Sequence, residues 1–300
     1  MASFSDYFMP VPWDELKLVV LITAHKNIGQ LLRLISAISH PQVIIYVHLD
    51  KKSAIDGSML PVHVRIVKKR VEVTWRLFSQ VQAIINSMIE IVRNEAKFDY
   101  LTLISGQDYP IVPMEAVLGL LAEQAGSEFI HHVPLDQTGW NKARIRFERF
   151  YFQSYSNPLI RLGGSLITFV SDKLRLKRRF HKGLRPWGGS AWWTLTRPCV
   201  QHIINLLETD QALVNFMMKT IHPDEIIFQT IIMNSPFADN AVSENFRYME
   251  WVSGNPNPNI LTRGDFSKIV AGPHHFARKF DPGIDEEILD MLDDYRNRSR

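Results

Sequence analysis

This chain is poor in the residues that mark several large function classes. It has one cysteine, Cys199, so an internal disulfide is excluded and nothing in cysteine usage points to an oxidising compartment. It lacks Gly-x-Gly-x-x-Gly after a strand, Gly-x-x-x-x-Gly-Lys-Ser/Thr and Gly-x-Ser-x-Gly. A dinucleotide fold of the usual kind, a P-loop enzyme and a nucleophile-elbow hydrolase are therefore not expected. The adjacent pairs His131-His132 and His274-His275 are poorly spaced to share one metal, and no His-x-x-x-His supplies a further ligand. Asp-x-Asp, the spacing with which many sugar transferases hold a divalent ion on a diphosphate, is also absent. The longest apolar run near the middle, Ser165 to Val170, is far shorter than the ~20 residues of a membrane helix. Met1 to Trp13 carries Asp6 and no basic stretch, so a secretory signal is not expected there.

What is present is ordinary in bulk and specific in place. Over 300 residues, 46% are apolar and 22% charged, which suits a globular protein with a sizeable core. A net charge of +3 gives no argument for nucleic acid. The charge is uneven, however. Lys173, Arg175, Lys177, Arg178, Arg179, Lys182 and Arg185 fall in one short segment, a solvated face or a contact with anionic lipid headgroups or an anionic acceptor.

Leu18–Thr23, Val43–Val47, Val64–Val67, Tyr100–Ile104 and Glu128–His132 read as strands. Helical spacing over Leu31–Ile38, Phe78–Val92 and Met114–Gln124 separates them. Strands alternating with helices predict an α/β fold with a doubly wound, mostly parallel sheet, in which ligands sit outside the carboxyl ends of the strands. Those ends carry Thr23 to Lys26, His48 to Asp50 and Ser105 to Asp108. Beyond about Gly139 aromatics interleave with arginines, and an α+β half is expected. One domain over residues 1–300 is expected, with a nucleotide-binding half at about 18–135 and an acceptor and catalytic half at about 136–300.

Two segments carry the chemistry. In His222-Pro223-Asp224-Glu225, Pro223 suits a first helical turn and the two acids favour its positive end. The same carboxylates suit a general base that deprotonates an attacking hydroxyl. In Phe276-Ala277-Arg278-Lys279-Phe280, two cations sit in an apolar frame, where a buried charge needs a partner. That partner is either Asp281 or a bound diphosphate. Trp187 to Trp193 is dense in aromatics and small residues, which suits either a core strand or a sugar-stacking surface.

These pieces, in this order, resemble the core-2/I-branching glycosyltransferase family, which includes the peptide O-xylosyltransferases. The resemblance spans about Leu18 to Asp281. It rests on Ala24-His25-Lys26, His48 to Lys52, Val73-Thr74-Trp75, Phe78 to Ala83, Ser105 to Pro110, Gly189 to Trp193, Pro223-Asp224-Glu225 and Phe276 to Asp281. It implies a GT-A type fold and inverting transfer of N-acetylglucosamine, or xylose, from UDP to a glycan hydroxyl, with no metal and no other cofactor. By the family's motifs Glu225 is the catalytic base, Lys279 meets the diphosphate, and Asp50, with the segment around His25, holds the uridine. The animal enzymes place a second cation upstream of the lysine. An ungapped match puts Pro256 there, and Arg263 and Arg278 are the candidates to substitute. Asp108, Arg149, Trp192 and Asp224 are expected on the acceptor side. Animal members carry an amino-terminal anchor and cysteine pairs. This sequence has neither, so a bacterial-type member is expected, cytoplasmic and in peripheral contact with an anionic membrane.

Two rival readings make different demands. A nucleotidyltransferase would need a metal and a glycine-rich phosphate loop. A non-catalytic glycan-binding protein would use the tryptophan-rich segment and would bind glycans without UDP.

Overall fold

The apolar runs become strands buried on both faces, as in sheets covered by helices on each side. The structure, a computed structural model, describes residue 12 and residues 14–136, 141–151, 158–174, 176–252 and 257–298; within helices the side chains of 141–143, 158–162, 165 and 172 are not described. In chain order the elements are β1 (Leu18–Ala24), α1 (Ile28–Ile38), β2 (Val43–Leu49), β3 (Arg65–Ile66), α2 (Phe78–Asn94), β4 (Tyr100–Ser105), β5 (Asp108–Pro110), α3 (Met114–Glu123), β6 (Glu128–Pro134), α4 (Asn141–Glu148), α5 (Pro158–Lys173), β7 (Trp187–Thr196), α6 (Arg197–Thr209), α7 (Gln211–Met217), α8 (Ile227–Met233), β8 (Ala241–Val242), β9 (Arg247–Met249), α9 (Phe266–Val270), β10 (Phe276–Arg278) and α10 (Glu287–Arg298).

The chain forms two compact units, each built from separated stretches. The first comprises the described residues of Met1–Lys68, Glu95–Ser127 and Asn245–Arg300; the second, those of Lys69–Asn94 and Glu128–Glu244.

In the first unit β3, β2, β1 and β4 lie side by side in that order, all parallel. Leu18 to Ile22 are fully buried, and burying each such side chain stabilises the fold by roughly 1.5–3 kcal/mol. The register sets Thr23 opposite both His48 and Ser105, so the three strands end together. Asp50 N–H donates to the Ala24 carbonyl (2.8 Å) and Gly106 N–H to that of Thr23 (2.9 Å), which fixes the loops beyond that edge. Helix α1 starts at Asn27, whose side chain caps Gln30 N–H, and turns Leu31, Leu34, Ile35 and Ile38 inward. A second sheet runs β5, β10, β9, with β10 antiparallel to β5 and parallel to β9.

In the second unit β6 pairs antiparallel with β7 and parallel with β8, with an irregularity in β6 between Ile130 and His132. Gly189 is required there: a Cβ would lie 1.9 Å from the His131 carbonyl oxygen. Trp187 to Trp193 is thus part of a strand, and Trp193 is fully buried against Phe228 of α8 (ring centroids 5.5 Å). Among the described residues, no helix is long and apolar enough to cross a membrane.

The sequence places Asp224 and Glu225 at the start of an α-helix, and the structure corrects this. Pro223–Glu225 is a separate 3-10 turn, Ile226 breaks from helical geometry at φ −132°, and α8 begins at Ile227. The turn is set by His222, held in the left-handed region at φ 51° with its N–H bonded to the Arg76 carbonyl (2.9 Å).

Candidate functional site

The first unit gathers cations at the ends of its parallel strands. Phe280 is pinned from both sides. Its carbonyl accepts from Gln30 Nε2 (3.2 Å) and Gln107 Nε2 (3.3 Å), and its N–H donates to the Gln107 carbonyl (3.0 Å). This anchors the half-buried Lys279 beside it. The expected alternative partner of Lys279, Asp281, is taken by Lys26 (Nζ–Oδ2 2.7 Å). Among the described residues, Lys279 Nζ reaches only the neutral Asn257 Oδ1, at 3.4 Å. Burial, then the charges of Arg278 and Lys26, push the Lys279 pKa down. Partial burial among like charges favours an anionic ligand.

His25 and Asp50 belong to the same group. Burial and then Lys26 lower the His25 pKa, while Asp50 opposes that shift and Lys279 and Lys52 add to it. All four groups are thus within electrostatic reach of one imidazole. Asp50 is buried, and its Oδ1 accepts from Lys52 N–H (2.9 Å), so the carboxylate is held at the strand end.

Glu225 lies in the second unit, on a turn braced by four segments. From α4, Arg146 forms an ion pair with Glu225 Oε2, and the Arg146 carbonyl accepts from Ile221 N–H (3.1 Å). From α2, Gln80 Nε2 donates to Asp224 Oδ2 (2.9 Å), holding that carboxylate inside the protein. From β7, Gly188 approaches so closely that a Cβ would lie 3.1 Å from the Glu225 carbonyl oxygen. From the loop before α2, Trp75 meets the His222 ring edge-on at 5.6 Å.

His222 is neutral here. Arg76 Nε, which can only donate, lies 2.9 Å from His222 Nε2, so Nε2 must accept and the proton sits on Nδ1. Burial, with the charges of Arg146 and Arg76, pushes the His222 pKa down to about 4. Nδ1 stands 3.8 Å from Glu225 Oε1, beyond hydrogen-bond range. Among the described residues, no hydrogen bond is made to Oε1. The carboxylate therefore has one oxygen oriented by Arg146 and one able to accept a proton.

The other expected residues have other surroundings. Asp108 is fully buried; its Oδ2 accepts from Ser105 N–H (2.7 Å), and its Oδ1 faces Arg278 Nε (3.6 Å) and Arg247 Nε (4.0 Å). Arg278 is thus paired within its own unit. Arg263 is exposed and forms an ion pair with Glu287, while its N–H bonds Asp285 (3.0 Å). Arg149 is exposed just beyond the end of α4, and Trp192 is buried in β7. Pro256 lies outside the described residues, as does Arg175. Among the described residues, no three His, Cys, Asp or Glu side chains are grouped to hold a metal.

The sequence alone gives Arg146 no role at Glu225, because the two are far apart in the chain. The signal available was weak: an arginine-rich helix in a segment with few acids.

The α/β fold, mostly parallel strands flanked by helices, is consistent with a GT-A-type glycosyltransferase. The model of the Core-2/I-Branching enzyme family matches residues 20–270, and the chain belongs to that family. It is similar to xylosyltransferase 2 of Canis lupus familiaris (26% identical over 312 residues, 95% of this chain and 34% of the relative). It is also similar to xylosyltransferase 2 of Homo sapiens (25% over 312 residues, 95% and 34%) and xylosyltransferase 1 of Rattus norvegicus (25% over 322 residues, 95% and 37%). The chain spans about a third of the length of these curated relatives.

Proposed function

We propose that this chain is an inverting glycosyltransferase that moves N-acetylglucosamine or xylose from a UDP-sugar to a hydroxyl of a glycan or glycoconjugate, without a divalent metal. The observation that carries the reading is Lys279: a half-buried ammonium among other cations, without a carboxylate partner among the described residues, in a chain of this family. Such a group stabilises a diphosphate leaving group by charge-assisted hydrogen bonding. Asp50 and the segment around His25 hold the uridine. Glu225 Oε1 takes the proton of the acceptor hydroxyl. The acceptor oxygen forms its bond to the anomeric carbon as the bond from that carbon to the diphosphate oxygen breaks. The electron pair leaves with UDP, whose negative charge Lys279 meets.

Arg146 and His222 are positioning residues in this scheme. Arg146 fixes the orientation of the carboxylate before the reaction. His222, neutral and wedged between Trp75 and Arg76, holds the turn. Asp224 anchors the same turn from inside.

The xylosyltransferase names of the relatives make UDP-xylose the first donor to test beside UDP-N-acetylglucosamine. The test is a panel of UDP-sugars with glycan and glycopeptide acceptors, reading UDP release with a chelator present. Release that depends on one donor and one acceptor supports the reading. Glycan binding with no UDP release from any donor would replace it with the glycan-binding alternative.

A further inference from the structure

Helix α5 (Pro158–Lys173) packs inside out. Gly164 and Ser171 are buried, and Thr168 Oγ1 donates to the Phe150 carbonyl at 2.7 Å. These small residues, spaced four and three apart, form the inward face. Its described large apolar side chains point to solvent: Leu166 is 62% exposed and Phe169 59%, with Ile167 and Val170 also exposed. The patch continues past the helix through Leu174 (63% exposed) and Leu176. A contiguous apolar face of this kind marks an interaction surface, whereas single exposed apolar residues need no explanation.

The sequence segment that follows is cationic. Lys173, Lys177, Arg179 and Lys182 are exposed, with Lys173 Nζ 5.6 Å from the Phe169 ring centroid. Of the expected basic cluster, three members have partners. Lys177 shares Glu148 (2.8 Å), Arg185 pairs with Asp136 (2.8 Å), and Arg178 is buried. Arg178 donates to the carbonyls of Lys219 and Phe216 (both 2.5 Å) and lies over the Phe216 ring at 3.9 Å. It fastens the segment after α5 to the second unit. The apolar face and its cations are therefore carried on an anchored scaffold.

We propose that α5 and the segment to Lys182 form a docking surface for an anionic lipid bilayer, with Leu166, Phe169, Val170 and Leu174 entering the interface and the flanking cations meeting headgroups. Apolar side chains on one helical face beside Lys and Arg match the chemistry of interfacial helices. A second copy of the chain fits worse, because a self-paired face would set these cations against themselves. The surface lies wholly in the second unit and needs no nucleotide, so it is independent of the proposed transfer reaction.

The experiment is co-sedimentation of the full chain with vesicles of phosphatidylglycerol and phosphatidylcholine, against phosphatidylcholine alone. The expected result is binding to the anionic vesicles that is lost at high salt. Lys173→Ala and Lys182→Ala should each weaken it about fivefold. Leu166→Ser with Phe169→Ser should weaken it at least tenfold, with an unchanged melting curve because both sites are exposed. Absence of binding at low salt overturns the proposal, as does wild-type binding by the double variant. A concentration-dependent dimer that the double variant dissociates would assign the face to a second copy instead. UDP affinity, measured on the same variants, should stay at the wild-type value.

Discussion

Arg146 forms an ion pair with Glu225 Oε2, while Oε1 of the same carboxylate faces a neutral His222 at 3.8 Å. One oxygen is oriented and the other is left to react, which is the arrangement a general base needs. Glu225→Gln keeps the shape and removes the basicity. Transfer should fall by roughly 10²–10⁴-fold while UDP affinity holds. Initial rates of UDP release check this, and a wild-type rate would remove Glu225 from the mechanism.

Lys279 and Asp281 are neighbours in sequence but not an ion pair, because Asp281 belongs to Lys26. Lys279→Ala should therefore leave stability intact and weaken UDP by about tenfold to a hundredfold, the worth of a charge-assisted contact. Calorimetry beside a melting curve separates the two effects. A lower melting temperature with unchanged UDP affinity would make the lysine structural.

His222 ties stability to acid. Its pKa is lowered from 6.5 to about 4, so between those values the unfolded chain binds a proton that the folded chain refuses. The stability is fully present above pH 6.5 and is lost as pH falls towards 4, by on the order of 3 kcal/mol. Denaturant unfolding of wild type and His222→Gln across this window should give a difference that shrinks with acidity. A constant difference would contradict the buried, neutral imidazole.

Glu128 has the opposite sign. It is fully buried at the start of β6, where Thr196 N–H donates to Oε2 (2.8 Å), and burial raises its pKa from 4.5 to about 7. Its contribution is fully present below pH 4.5 and is lost as pH rises through 7, again by on the order of 3 kcal/mol. Glu128→Gln should gain stability relative to wild type as pH rises from 4.5 to 8. Parallel pH profiles of the two proteins would rule out a protonated carboxyl at this position.

The strands were legible because continuous β-branched runs have few other uses, and Leu18–Thr23 and Tyr100–Ile104 each extend by one residue in the structure. The motif blocks sort cleanly. Ala24 to Lys26, His48 to Lys52, Ser105 to Pro110 and Phe276 to Asp281 fall in the first unit; Val73 to Trp75, Phe78 to Ala83, Gly189 to Trp193 and Pro223 to Glu225 fall in the second. The sequence could not show that Gln80 holds Asp224 or that Arg146 holds Glu225, since pairing across long loops leaves no local pattern. Nor could it show the tight turn at Pro223, because proline followed by two acids also suits an α-helix start, and the difference lies in His222 bonding to Arg76. Arg278 and Lys279 look equivalent as neighbours in sequence. Only the buried Asp108, in the strand beside Arg278, separates them.

The central claim is a UDP-sugar site in which side-chain cations, rather than a metal, meet the diphosphate. Calorimetric titration of UDP into the purified chain with EDTA present tests it most directly. The account predicts micromolar binding that survives the chelator and weakens in Lys279→Ala. Binding that vanishes with EDTA and returns only with manganese would contradict it.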